Sequence, residues 1–171
     1  MVPELETERV WMRAWQNADF EPFAAFCSDE ESARFIGGVC PRDDAWRRIA
    51  AIVGHWALRG YGFWALEDKA SGRFAGYAGL WFPESWPEPE VGWGLLREFQ
   101  GRGLVTEAVE RARAFAYEEF GWPTAIGCIA NENVASIRVA ERLGAQREKQ
   151  IELRGWEVAI YRHPSPSQLI D

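Results

Sequence analysis

Two neighbouring stretches carry residue types that could do chemistry. The first is Glu90-Val91-Gly92-Trp93-Gly94-Leu95. As a strand its side chains alternate, so Glu90 shares a face with Gly92 and Gly94 while Val91, Trp93 and Leu95 point the other way. A carboxylate then stands beside a strip of bare backbone. The second stretch, Gln100-Gly101-Arg102-Gly103, leads into an amphipathic run that starts at Leu104. The first amides of a helix lack partners, glycine exposes backbone, and a glycine-bearing strand-to-helix loop is a place where phosphate binds. Arg102 adds a positive charge. The alternative is that the glycines only make a tight turn. A nucleotide loop of the GxxxxGK type is absent, and Gly101-Arg102-Gly103 supplies only the first part of a GxGxxG dinucleotide fingerprint.

These stretches need elements to hold them. Strand character begins at residues 9–15, followed by a helix capped by Asn17 or Asp19 and a longer helix that starts at Pro41 and ends at Gly60 and Gly62. That second helix carries Trp46, Ile49, Ile52, Val53 and Trp56 at helical spacing. Strands are expected at 61–68, 73–82 and 90–96, with a proline-rich loop presenting an exposed Trp86 before the third. A helix at 104–120 follows, burying Val105, Ala108, Val109, Ala112, Ala116 and Phe120 and pairing Glu107 with Arg111 outside. A strand at 124–130, a helix at about 133–143 closed by Gly144, and two strands within 145–162 complete the order β-α-α-β-β-β-α-β-α-β-β. The strand ahead of the glycine loop is third in a run of three, not first in a βαβ unit as a dinucleotide fold requires. The fold class is α/β in the α+β sense: one domain, core about 7–163 with a tail at 164–171.

Composition narrows the partners. Among 171 residues the net charge is −7, with the acidic excess in the N-terminal part, which argues against nucleic acid and mildly favours a cationic or amine partner. Cys27, Cys40 and Cys128 are too few and too scattered for a disulfide framework or metal site, so reduced thiols in a cytoplasmic protein are expected. No stretch has the length of apolar residues that a membrane span needs, and the amino-terminal residues lack the pattern of an export signal. Most of the ten tryptophans are expected in packing. His55 and His163 fit no catalytic arrangement and are read as structural or solvated, and Cys128 as a small core residue.

The run Gln100-Gly101-Arg102-Gly103-Leu104-Val105 resembles the Q/R-x-x-G-x-G/A motif of the GNAT superfamily of acyl-CoA N-acyltransferases, with Val105 where Gly or Ala is usual. The opening LETERVWMRAW, the span YGFWALEDKASGRFAGYAGLW and the segment NENVASIRVAERLGA resemble the RimJ/RimL-like branch, which acetylates protein N-termini. The resemblance covers nearly the whole chain. It implies a mixed, mostly antiparallel sheet flanked by helices, and direct transfer of an acetyl group from acetyl-CoA to a primary amine: a protein N-terminus, a polyamine or another small amine. It implies no metal, and it admits a homodimer.

Residue by residue, the resemblance implies that Leu95 and Leu96 offer backbone to the pantetheine arm and that Gln100, Gly101, Arg102, Gly103, Leu104, Val105 and Thr106 hold the pyrophosphate. Asn133 would contact the pantetheine, and Glu90 would be the general base, its pKa raised by burial. Many members place a tyrosine seven residues after the asparagine as general acid; here that position is Ala140, and Ser136 is the branch's usual substitute, or merely an early-turn residue. Trp81, Trp86 and Trp93 are placed beside the acceptor entrance. The missing tyrosine and Val105 keep open a rival, a non-catalytic acyl-CoA-binding or sensory domain, and the glycine loop keeps open a weaker one, a nucleotide-binding protein.

Overall fold

A computed structural model describes residues 1–170. Its elements are β1 (Leu5–Glu6), β2 (Val10–Arg13), α1 (Phe20–Ser28), α2 (Glu30–Ala33), α3 (Arg42–Arg59), β3 (Phe63–Asp68), β4 (Arg73–Trp81), β5 (Glu90–Leu95), α4 (Leu104–Phe120), β6 (Ile126–Ile129), α5 (Val134–Arg142), β7 (Gln146–Leu153) and β8 (Trp156–Arg162). The strands form one eight-stranded sheet in the order β1-β2-β3-β4-β5-β6-β8-β7. All neighbours are antiparallel except β5 and β6, which run parallel and share a single register pair, Glu90 with Ile126. Beyond that pair the two strands part. The α/β fold with a mostly antiparallel mixed sheet flanked by helices is therefore present.

Opposite faces of the sheet are covered by different helices. Cross-strand parity puts Trp64 on the face covered by α4, where it meets Phe115 edge-on at 5.3 Å, and Phe63 and Tyr77 on the face where Tyr77 meets Phe23 of α1 at 6.2 Å. Helix α4 buries Leu104, Ala108, Val109, Ala112 and Ala116. The three alanines leave room for it to lie over β4 and β5.

Several local expectations need correction. Trp46 and Val53 are 57% and 51% exposed, so α3 buries only Ala45, Ile52, His55 and Trp56 fully. Phe120 is 41% exposed, because α4 ends there at Gly121 with φ +62. Glu107 turns away from Arg111 to the amino-terminal strands, and Arg111 approaches Glu118 at 3.6 Å instead. Neither Asn17 nor Asp19 caps α1 through its side chain; Asp19 accepts from Gln16 N at 2.8 Å and sits in a short 3-10 turn. Residues 164–169 do not trail away. Tyr117 Oη donates to Pro164 O at 2.7 Å, and a 3-10 turn spans Pro166–Leu169. No helix among the described residues is long and apolar enough to cross a membrane.

Candidate active site

The gap between β5 and β6 is where the unusual features converge. Leu96 N donates to Ala75 O at 2.9 Å, so by the alternation of an antiparallel ladder the backbone groups of Trp93 and Leu95 face the other edge, where β6 has already turned aside. Gln100 Nε2 fills one of these vacant positions by donating to Leu95 O at 3.0 Å. Leu96 is thus engaged with β4, whereas Leu95 faces the gap.

Glu90 stands at the apex of the gap. It is 8% exposed, and its Oε2 accepts from Cys128 N at 2.6 Å. A carboxylate thereby takes the backbone donor that a continuing β5 would have paired. Trp86 Nε1 lies 3.4 Å from Oε1, so the loop tryptophan is half-buried over the acid and not exposed as its proline-rich surroundings suggest. Burial pushes the Glu90 carboxyl up to about 7, against the opposing pull of the Cys128 amide and the Trp86 N–H.

The bare strip beside Glu90 is covered by rings. A Cβ at Gly92 would lie 3.1 Å from the Phe63 ring and 3.3 Å from Glu90 Oε1, and one at Gly94 would lie 2.6 Å from the Tyr77 ring. Phe63 stacks on Trp81 at 4.7 Å, and Trp81 stacks on His55 at 4.5 Å. His55 Nε2 accepts from Phe82 N at 2.9 Å, so the proton is on Nδ1, which lies 2.6 Å from Tyr61 O. The histidine read from sequence as structural or solvated is structural: it anchors a row of rings that reaches the acid. Trp56 Nε1 and Trp15 Nε1 both donate to Phe63 O, at 2.9 and 3.1 Å.

The glycine loop sits at the start of α4. Gly101 and Gly103 have φ +75 and +78, which only glycine adopts cheaply, and nothing lies within 4 Å above Gly101. No side chain caps the helix, and Glu107 N to Gly103 O at 3.3 Å is the first bond across its amino end. The amides of Leu104, Val105 and Thr106 are left facing outward, and Thr106 Oγ1 is buried with no partner among the described residues. Such a nest of donors on a helix amino end suits a phosphate. Arg102 is turned aside, with Nη2 3.2 Å from Asp68 Oδ1.

Sequence reasoning missed what holds this loop. Arg9 Nη1 donates to Arg102 O, Arg9 Nε donates to Glu107 Oε1 at 2.6 Å, and Thr7 Oγ1 donates to Glu107 Oε2 at 2.7 Å. The threonine and arginine of the ETER stretch clamp the loop and the first turn of α4. The stretch itself stood out in the sequence, but the glutamate it would meet lies some hundred positions away. Asn133 caps α5 by accepting from Ser136 N at 3.2 Å, which sets Ser136 in the first turn of that helix.

Comparison with known proteins places this geometry in a family. A family model described as an acetyltransferase (GNAT) domain matches residues 9–146. The chain belongs to the GNAT acetyltransferase family. It is 27% identical over 168 residues to the uncharacterized protein YkkB of Bacillus subtilis (strain 168), covering 95% of this chain and 96% of that one. An acetyltransferase structure from Agrobacterium tumefaciens str. C58 superposes with a TM-score of 0.87 at 27% identity, covering 95% of each chain. RimL, a ribosomal L7/L12 α-N-protein acetyltransferase solved in complex with coenzyme A, shares the fold at a TM-score of 0.72 and 16% identity, covering 95% of this chain and 98% of that one.

Proposed function

We propose that the protein is an acetyl-CoA-dependent N-acetyltransferase of the RimJ/RimL-like branch, moving the acetyl group directly to a primary amine on a protein N-terminus or a small molecule. The observation that carries this reading is Glu90: a buried carboxyl, titrating near neutrality, wedged where β5 and β6 part. Family membership supports acyl transfer, and a CoA-bound relative of the same fold supports the cofactor.

In this reading the amides of the loop at Gly101, Arg102, Gly103, Leu104, Val105 and Thr106 take the pyrophosphate, and the free edge of Leu95 lies along the pantetheine arm, with Asn133 on its other side. Their outward donors and the orphaned Thr106 hydroxyl fit that anion. Glu90, as carboxylate, takes one proton from the acceptor ammonium. The amine nitrogen then bonds to the thioester carbonyl carbon, the C–S bond breaks, and the second proton leaving that nitrogen passes to the departing thiolate through the Ser136 hydroxyl or water held by it. The row Phe63, Tyr77 and Trp81 forms an aromatic wall beside the acid for the acceptor.

Glu90→Gln is expected to lower turnover of any accepted amine by about 100-fold or more while the thermal shift produced by acetyl-CoA persists. Unchanged turnover removes Glu90 from the reaction. Stabilisation by ATP or NAD and not by CoA or acetyl-CoA overturns the assignment as a whole.

A further inference from the structure

Beside the middle of α4, away from the glycine loop, lies a second concavity with different chemistry. It encloses about 690 Å³ between the middle of α4, the carboxyl end of α5, β7, β8 and the turn at 166–169. Its walls include Arg113, Arg142, Arg147 and Arg162, with Glu110 and Glu148, and Leu143, Pro164 and Leu169 give it an apolar side. From Leu104 to Arg113 the helix rises roughly 13 Å, so the concavity is well removed from the glycine loop.

Arg113 sets it apart. The residue is 3% exposed, yet no carboxylate pairs with it among the described residues. One nitrogen, Nη1, donates to Leu143 O at 2.7 Å and lies 3.3 Å from His163 Nδ1. The carbonyl at the end of α5 supplies a partial negative charge, well short of a full counter-charge. Burying a cation without one costs several kcal/mol. The guanidinium is a donor throughout, so His163 Nδ1 is the acceptor and the imidazole is neutral. Histidine therefore adds no negative charge either.

The neighbours repeat the imbalance. Arg162 is neutralised by Glu88 and Glu148 at 2.8 and 2.7 Å, but Arg142 and Arg147 make no ion pair among the described residues; Arg147 reaches only Gln150 Oε1, at 3.2 Å. In a chain with net charge −7, where most other arginines and lysines find a carboxylate, three arginines that do not are gathered around one concavity.

We infer that this concavity binds a small molecule through an oxyanion head, phosphate or carboxylate, held by Arg113 from below and by Arg142 and Arg147 at the rim. Guanidinium forks match both anions in bidentate fashion. The volume is that of a small-molecule site, and the Leu143, Pro164 and Leu169 side accommodates an apolar portion. This second site is independent of the acetyl-transfer reading.

The test is calorimetric titration of the full chain with inorganic phosphate and, separately, with succinate, in the presence of saturating coenzyme A so that the glycine loop is occupied. Saturable one-to-one binding of at least one probe is expected. Arg142→Ala combined with Arg147→Ala should weaken it at least tenfold while leaving the coenzyme A thermal shift unchanged, and Glu110→Gln should tighten it. The rim residues are exposed, so both variants fold independently of the buried Arg113. Preference between phosphate and succinate identifies the head group. Absence of saturable binding by either probe, or equal affinity in the double variant, overturns the inference.

Discussion

Strand β6 has a buried titratable group on either side of it, and the two are tuned in opposite senses. Glu90 gives its carboxylate to the Cys128 amide, while His163 lies beyond Gly127 with Nε2 buried and without a partner among the described residues. Burial raises the acid to about 7 and, together with the positive Arg113, lowers the base to about 3. The acid therefore changes protonation within the range in which an amine acceptor must be deprotonated. The base stays neutral throughout it. A buried ionisable group is a candidate for chemistry only when its environment leaves it able to titrate where the reaction runs.

The sharpest test of this contrast is the pH dependence of the reaction. With Glu90 acting as a carboxylate, kcat/KM should approach a tenfold fall per pH unit below an apparent pKa near 7, roughly 50-fold between pH 7 and 5. His163→Gln should keep that limb. A profile in which the His163 variant loses it and the wild type keeps it would reverse the roles. Gly103→Leu should weaken coenzyme A binding at least tenfold, since the position needs φ +78 and its side chain would start 2.8 Å from Arg9 Nη2. Titration of the variant with coenzyme A checks this.

Stability carries the same comparison with smaller numbers. Glu90, whose folded pKa lies above its unfolded one, stabilises most below pH 4.5 and loses that contribution as pH rises through 7. His163, whose folded pKa lies below its unfolded one, stabilises most above 6.5 and loses that contribution as pH falls toward 3. Between pH 7 and 5 each contribution changes by about 2 kcal/mol, with opposite signs, and the two nearly cancel. Denaturant unfolding of Glu90→Gln should then show stability falling on acidification over this interval, and that of His163→Gln should show it rising. Equal slopes in the two variants would contradict the opposed tuning. Gly94→Ala should cost about 1–3 kcal/mol, because the new methyl meets the Tyr77 ring at 2.6 Å and displaces a residue of the wall beside Glu90.

The sequence carried much of this, unevenly. Alternation in EVGWGL put Glu90 on the face of Gly92 and Gly94, and the structure agrees, because β5 pairs with β4 without a register shift and so keeps its two-residue period. The glycine pair predicted an uncapped helix start for the same local reason. What eluded the pattern is long-range pairing. Nothing local says that Glu107 will prefer Thr7 and Arg9 to Arg111, or that Trp86 will fold over the acid. Spacing likewise could not choose between a structural and a solvated His55 or His163, since that depends on which backbone groups arrive beside the ring.

The clamp of Arg9 on the glycine loop also has a consequence in time. A chain leaving the ribosome holds residue 9 long before residue 102 exists, so the loop cannot take its supported shape until the first strands have waited for nearly two thirds of the protein to be made. Contacts of such sequence separation are entropically slow to close. The nascent chain meanwhile keeps an unpaired Arg9 and Thr7 exposed, and the ability to hold a phosphate is acquired only when the two distant parts of the chain meet.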